Sequence, residues 1–268
     1  MALGLIVCGV GGRMGGAVVR AAAQTAGVRL AAAIDRPGSS RLGKDAGDIS
    51  GAGQLGVQVT DKIQPQLKPN TVIIDFTNPE ASLGYLRVAA KKATSIVIAT
   101  TGFNSTQLAE IKRLSRRTPT LLSANTSLGV NVLVSLLGKA AKILGDDYDV
   151  EIVEAHHRFK KDAPSGTALA LGRSVANALN RDLDKIGING RKGIVGERSK
   201  KEIALLSVRA GDIVGEHTVI FGGIGERLEF IHRTHSRDTF ARGAIRAAQW
   251  LAKQKAGLYG MQDVLGLT

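Results

Sequence analysis

The chain carries one cysteine in 268 residues, Cys8, so no disulfide can close within it. Small secreted domains depend on such crosslinks, and a chain without them suits a reducing compartment, which predicts a cytoplasmic protein. Aromatic residues make up only 4%, too few for the stacking platforms of single-strand nucleic-acid binders. No apolar run reads as a membrane span or a leader: the first, Leu3 to Cys8, is interrupted by glycine and has no basic segment before it. Acidic residues are the scarcer charge. The 23 Asp and Glu face 36 Lys and Arg, a net charge of +13 with a pI near 10.1. That balance raises nucleic acid as a partner, but the basic residues are scattered, and neither a helix-turn-helix nor zinc-ligand spacing accompanies them. A basic field serves equally well to draw in a small dicarboxylate and a phosphate-bearing cofactor. The expectation is a small-molecule enzyme with no nucleic-acid or membrane partner.

What is present begins at the amino terminus. Leu3 to Cys8 is a short apolar strand, followed by Gly9-Val10-Gly11-Gly12-Arg13-Met14-Gly15 and an alanine-rich helical stretch. Strand, glycine turn and helix in that order open a dinucleotide-binding unit, in which the backbone must approach a pyrophosphate closely. The spacing departs from the usual G-x-G-x-x-G, because Met14 stands at the third glycine and Gly9, Gly12 and Gly15 form a three-residue repeat. The next strand, Val28 to Ile34, ends in Asp35-Arg36. An acidic residue there accepts from the adenosine ribose, and an arginine beside it pairs with a 2′-phosphate, so both NADH and NADPH are expected as cofactors.

The densest chemistry lies in the fourteen residues Glu154 to Thr167, E-A-H-H-R-F-K-K-D-A-P-S-G-T. Asp149 to Glu154 alternates polar and apolar residues, the pattern of a strand buried on one face, which puts His156 at a strand end. Apolar residues at helical spacing follow Thr167, and Ser165 or Thr167 is a natural N-cap. A helix start there offers unpaired N–H groups to a carboxylate, with Gly166 leaving room. His156 or His157 can exchange a proton near neutral pH, and Lys160 can donate one or hold a negative charge.

Further strands at Thr71 to Thr77, Ser95 to Gly102 and Thr118 to Leu122 alternate with helices, so the first sheet is expected to be parallel, with its ligand at the carboxyl ends of its strands. Ala99, Thr100, Thr101 and Ser123, Ala124, Asn125, Thr126 fall at such ends. From Ser127 the pattern changes. Strands at 150–155, 203–209, 217–221 and 227–232 lack intervening helices, which predicts a mixed or antiparallel sheet, and an apolar face on it would need another subunit. The segment 182–201 reads as a mobile loop, and a last helix near 239–255 returns to the first domain. The fold class is therefore α/β: a Rossmann-like dinucleotide-binding domain over 1–126, completed by 237–268, and an α+β domain over 127–236 for substrate binding and oligomerisation.

G-V-G-G-R-M-G, A-T-T-G-F, A-N-T-S-L-G-V-N, the H-H-R-F-K-K-D-A-P-S-G-T string, R-A-G-D-I-V-G-E-H and Y-G-M-Q-D-V-L-G-L occur in order along nearly the whole chain. Together they resemble the dihydrodipicolinate reductase family. The resemblance implies a homotetramer that reduces 4-hydroxy-tetrahydrodipicolinate to tetrahydrodipicolinate with NADH or NADPH and release of water, in the diaminopimelate route to lysine. It implies His156 and Lys160 as catalytic residues, and His157, Ser165, Gly166 and Thr167 as the dicarboxylate set. It also implies Gly9 to Met14, Asp35, Arg36, Ala99 to Thr101 and Ser123 to Thr126 as cofactor contacts. Ala99 stands where a glycine is common in the family, and Thr126 where many members have phenylalanine. A related dehydrogenase of the same two-domain plan would share the glycine turn but lack the His-His string, and a noncatalytic nucleotide sensor would not need His156 and Lys160 together.

Overall fold

The computed structural model describes residues 1–267. Two compact units form, one from Met1–Leu128 with the segment from Arg237 onward, the other from Gly129–Ser236.

In chain order the first unit begins with β1 (Leu3–Cys8), α1 (Arg13–Gln24), β2 (Val28–Ile34), α2 (Ala46–Ser50), β3 (Val59–Thr60), β4 (Thr71–Asp75), α3 (Pro79–Lys92), β5 (Ser95–Ile98), α4 (Ser105–Ser115) and β6 (Pro119–Leu122). The second unit takes in α5 (Leu128–Leu144), β7 (Asp149–His156), α6 (Gly166–Ala178), α7 (Leu183–Ile186), β8 (Gly187–Ile188), β9 (Ile203–Arg209), β10 (Gly215–Gly222) and β11 (Arg227–Thr234). The chain then returns to the first unit as α8 (Asp238–Leu251), β12 (Gly257–Tyr259) and α9 (Met261–Leu265).

The seven strands of the first sheet run β12-β6-β5-β4-β1-β2-β3, and every pairing is parallel. All six residues of β1 are buried, because a parallel sheet is covered on both faces and its strands read as continuous apolar runs. Their side chains alternate between two cores: Leu5 and Val7 face α1 and α8, while Ile6 and Cys8 face α3 and α4. Asn78 caps α3 through Ala81 N at 3.0 Å with Pro79 in the first turn, as the sequence predicts. β1 lies between β2 and β4, so the strand order reverses at its carboxyl end, where open α/β sheets bind ligands.

The second sheet runs β11-β10-β7-β9-β8 and is mixed: β7 pairs parallel with β9 and antiparallel with β10. One face packs Val150, Ile152, Ile203, Leu205, Val219 and Phe221 against α5 and α6. Among the described residues, α5 is the one helix long and apolar enough to cross a membrane by length and composition, extended to Asp147. Its Leu133, Leu137 and Ala141 lie in this core, while Val132, Leu136 and Ile143 stay exposed.

Two segments differ from the sequence reading. The expected mobile loop over 182–201 holds α7 and β8, and its arginines are anchored: Arg191 Nη1 donates to Glu151 at 3.0 Å, and Arg198 Nε to the same carboxylate at 3.0 Å. Polar composition resembled a loop because the partners that fix those charges come from β7, distant in sequence. The final helix is followed by β12, a three-residue strand too short to show a period, which extends the first sheet beside β6.

α8 crosses the 123–126 turn at Gly243, where a Cβ would stand 1.8 Å from Thr126 O. Backbone on both sides leaves nothing flexible to yield. Gly243→Ala is therefore expected to destabilise the first unit by about 2–3 kcal/mol, read as a lower urea midpoint with an unchanged slope.

Candidate active site

In the first unit the site begins at the turn between β1 and α1. Gly9 has φ +73°, a left-handed conformation that glycine enters without strain. Gly12 N donates to Gly9 O at 2.9 Å, closing the turn. A Cβ on Gly15 would stand 2.1 Å from that same carbonyl oxygen. Gly15 thus performs the close helix–strand packing for which the usual third glycine serves, and the three-residue repeat is explained. Gly12 caps α1 without a side-chain hydrogen bond, so the first N–H groups of the helix point into the turn with the positive end of the dipole behind them.

Beside this turn, Asp35 receives Arg36 N at 2.9 Å on Oδ1 and Ser39 Oγ at 2.8 Å on Oδ2. A Cβ on Gly11 would meet Asp35 Oδ2 at 2.5 Å and Arg41 Nη1 at 2.7 Å. Carboxylate, guanidinium and bare backbone therefore converge at the carboxyl end of β2. Arg41 was not singled out in the sequence, because nothing in a polar run such as Gly38-Ser39-Ser40-Arg41 shows which way its side chain turns. The cradle fits a dinucleotide: side-chain-free backbone at the pyrophosphate position, and both an acceptor and cations at the ribose position.

The next two strand ends place the remaining expected contacts differently. Asp75, fully buried, is held by Ser82, by Thr77 Oγ1 at 2.6 Å and by Thr100 Oγ1 at 3.2 Å. Burial raises its pKa, and those hydrogen bonds oppose the rise. Thr100 is thus turned inward, whereas Thr101 is exposed. Ser123 Oγ donates to Asn125 O at 2.8 Å, leaving Ala124 exposed at the tip of the turn. Thr126 is 1% exposed and donates to Phe240 O at 2.7 Å, so its hydroxyl serves α8.

In the second unit, one row of side chains crosses the inner face of the sheet. Register aligns His232 of β11 with His217 of β10, His217 with Glu154 of β7, and Glu154 with Ser207 of β9. One step along, His156 aligns with Arg209. Glu154 is fully buried yet charged: Arg209 Nη2 and Nη1 donate to Oε1 and Oε2 at 2.7 and 2.8 Å, Ser165 N donates to Oε1 at 3.1 Å, and His156 Nδ1 lies 2.5 Å from Oε2. Burial works to raise its pKa, but the hydrogen bonds from Arg209, Ser207 and His156 prevail and hold it at about 2. His156 is pushed below the ordinary histidine value, first by burial and also by Lys160 and Arg209, with Glu154 opposing. Lys160 Nζ binds both oxygens of Asp162 at 2.9 Å, and Arg209 Nη2 donates to Asp162 O at 2.7 Å.

Ser165 caps α6, accepting from Ala168 N at 3.1 Å, and lies 3.1 Å from His217 Nε2. A Cβ on Gly166 would meet nothing within 4 Å, so space is open at the start of that helix. Among the described residues, His157, His217 and His232 each have a buried Nδ1 without a hydrogen-bond partner. Unpaired buried polar atoms are rare, and that of His157 lies in the residue next to His156.

Burial lowers the His217 pKa to about 3 from an ordinary 6.5. The unfolded chain therefore binds this proton first, and the stability is present above the unfolded value and lost as pH falls toward the folded one. Unfolding free energy is expected to drop below about pH 6.5, with His217 contributing at most about 1.4 kcal/mol per pH unit. Denaturant titrations at pH 7, 5.5 and 4.5 on the wild type and on His217→Asn, which removes this part of the slope, check it.

Two family models match the chain: dihydrodipicolinate reductase, N-terminus, over residues 3–126, and dihydrodipicolinate reductase, C-terminus, over 129–265. The chain belongs to the dihydrodipicolinate reductase family. It is 51% identical over 261 residues to the 4-hydroxy-tetrahydrodipicolinate reductase of Syntrophus aciditrophicus, covering 97% of each chain. It is 51% identical over 267 residues to that of Thiobacillus denitrificans, covering 100% of each. Among solved structures, dipicolinate-bound dihydrodipicolinate reductase from Paenisporosarcina sp. TG-14 matches with a TM-score of 0.75 at 23% identity, covering 98% of this chain and 99% of that one.

In this family member the sequence-predicted residues gather as two sets, one in each unit. Gly9, Gly11, Gly12, Asp35 and Arg36 surround the α1 turn together with Arg13 and Met14, while Val10 is buried beneath it. His156, Lys160 and the Ser165–Thr167 helix start gather around Glu154. Three expected contacts change character: the side chains of Ser165, Thr100 and Thr126 are nearly inaccessible and engaged in capping α6, in holding Asp75 and in holding α8. Glu154, Arg209 and His217 went unassigned in the sequence. A period-two reading marks Glu154 and His156 as sharing a face, but only register brings Arg209 and His217 to them.

Proposed function

We propose that this chain reduces 4-hydroxy-tetrahydrodipicolinate to tetrahydrodipicolinate, with NADH or NADPH as reductant and release of water, in the diaminopimelate route to lysine. The observation that carries the reading is the cluster of His156, Lys160 and an open helix start beside a buried carboxylate, in a chain about half identical to reductases of that name over its whole length. Bound NADH or NADPH supplies the hydride. The chain's own residues supply position, charge and protons.

The substrate is a small dicarboxylate. Gly166 and Thr167 at the start of α6 receive one carboxylate, with His157 beside it, and Ser165 holds that helix start in shape. Lys160, released from the exposed Asp162, neutralises negative charge on the substrate, and His156 delivers the proton that completes the reduction. The glycine turn receives the pyrophosphate, Asp35 the ribose, and Arg36 with Arg41 a 2′-phosphate. The strand-end turns of Ala99 to Thr101 and Ser123 to Asn125, with Thr101 and Ala124 exposed, contact the nicotinamide half.

Supplying the substrate from a coupled synthase and following oxidation of NADH and NADPH separately tests the whole reading. Oxidation of either cofactor that requires the dicarboxylate is expected; cofactor binding without oxidation overturns it in favour of a nucleotide sensor. Arg36→Ala and Arg41→Ala are each expected to weaken NADPH by about tenfold or more, from loss of one charged hydrogen bond, and NADH by less than about twofold. Fluorescence titration of each cofactor reads this directly.

A homotetramer in the cytoplasm completes the proposal. The outer face of the second sheet leaves Val208 and Ile231 exposed at 45% and 47%. They lie on β9 and β11 with β7 and β10 between them, and exposed apolar positions spread over a sheet face are consistent with a self-association surface; sedimentation equilibrium measures the stoichiometry.

A further inference from the structure

We propose that Glu154 is the positioning residue of the reaction: clamped by Arg209, it accepts the Nδ1–H of His156, so that Nε2 is the nitrogen that takes up a proton from water, as an imidazolium paired with Glu154, and delivers it to the substrate. The inference deepens the proposed function and rests on that reading for the role of His156.

Besides the Ser207 hydroxyl, four contacts converge on one buried carboxylate. Oε1 accepts from Arg209 Nη2 and Ser165 N, and Oε2 accepts from Arg209 Nη1 and faces His156 Nδ1. Arg209 is a fixed donor at both oxygens, because a guanidinium has no acceptor and stays charged. The carboxylate therefore cannot rotate, and its remaining direction on Oε2 is set toward His156. A carboxylate has only acceptors to offer, so a neutral His156 carries its proton on Nδ1. The other ring nitrogen is left clear by a glycine: a Cβ at Gly215 would stand 3.1 Å from His156 Nε2. Around the ring stand Glu154 on its own strand, Arg209 on β9, His217 edge-on from β10 at a centroid distance of 5.3 Å, and Lys160 from the following loop.

The same contacts predict what Glu154→Gln does. The amide oxygen stays at the Oε1 position, where two N–H groups donate. The amide NH₂ takes the Oε2 position, gives up the bond from Arg209 Nη1, and points a hydrogen at His156 Nδ1, which must then accept. The neutral ring then carries its one proton on Nε2 with Nδ1 held as an acceptor, so it no longer forms the imidazolium and becomes a far weaker proton donor, although shape and volume are nearly unchanged. An imidazole held in the wrong tautomer loses most of its rate while binding survives.

The experiment is heteronuclear NMR of the protein labelled at histidine, with the His156 resonances identified by their loss in His156→Gln, beside kinetics of the same samples. Expected is the Nδ1–H tautomer of neutral His156 in the wild type, Nε2–H in Glu154→Gln, and a fall in kcat of about 10²-fold or more with KM for the dicarboxylate within a few-fold. The group loses a neighbouring negative charge, so its titration midpoint moves to lower pH. Glu154→Asp is expected to keep the Nδ1–H tautomer and recover part of kcat, which a packing defect would not do. An Nε2–H tautomer in the wild type overturns the proposal, even where Glu154→Gln fails to fold. An inverted tautomer with unchanged kcat also overturns it. A wild type in the Nδ1–H form that never turns over the dicarboxylate refutes the reaction while leaving the Glu154–His156 geometry standing, so the two failures are separable.

Discussion

Replacing His156 by glutamine is expected to lower kcat by about 10²–10⁴-fold, the range that a positioned proton donor contributes, while leaving the cofactor dissociation constant unchanged. Binding is spared because the dinucleotide cradle lies in the other folding unit, around Gly9 to Gly15 and Asp35. Stability is also largely spared: glutamine can donate to Glu154 from its amide, so the buried carboxylate keeps a partner at Oε2. Lys160→Ala is expected to reduce kcat as well, and the double variant to fall little further than the worse single one, because groups that serve one proton transfer are not additive. Stopped-flow cofactor oxidation beside fluorescence titration separates the two effects. Full turnover with an unchanged pH profile in His156→Gln would sink the assignment.

The second large effect falls on the cofactor side. In Gly15→Val, the new Cβ meets Gly9 O at 2.1 Å, Gly9 C at 2.6 Å and Val10 Cα at 2.8 Å. All three are backbone atoms in the tightest part of the turn, so α1 must move away from β1. Such overpacking costs about 1–3 kcal/mol, occasionally more, and the displaced helix start no longer aims its N–H groups at a pyrophosphate. NADH and NADPH are expected to lose affinity together by about 10²-fold or more, since the loss of two pyrophosphate hydrogen bonds is worth about 3 kcal/mol. The parallel loss distinguishes it from the arginine variants, which discriminate between the cofactors. Gly12→Ala, whose Cβ would approach only Gly9 O at 3.2 Å, is expected to have a milder effect.

Much of this was readable from local pattern. β1, β2 and β9 span the residues the sequence pattern assigns them, Leu3–Cys8, Val28–Ile34 and Ile203–Arg209, since strands are marked by composition at their own positions. The Asn78-Pro79 start of α3 and the Ser165 cap of α6 follow from side chains that satisfy N–H groups two or three residues ahead. The string proposed as catalytic could be picked out for a similar reason: His156, Lys160 and the helix start lie within twelve residues on one strand, one turn and one helix.

The rest depended on partners remote in sequence. Arg191 and Arg198 looked like loop charges until β7 supplied Glu151. Thr126 reads as a turn residue, but α8, more than a hundred residues later, takes its hydroxyl. Ser165 reads as a ligand contact or a cap, and burial beside His217 made it a cap.

By itself the sequence determined the α/β class, the glycine turn and the histidine–lysine string, because each is set by short-range periodicity, backbone freedom and side-chain chemistry at neighbouring positions. Only the tertiary structure decided that Glu154 is a clamped carboxylate, that Arg41 stands beside Asp35, and that Gly15 is the packing glycine. Those facts depend on strand register and helix docking, which bring together groups up to 55 residues apart. A buried charge becomes tolerable only when that register delivers its partners.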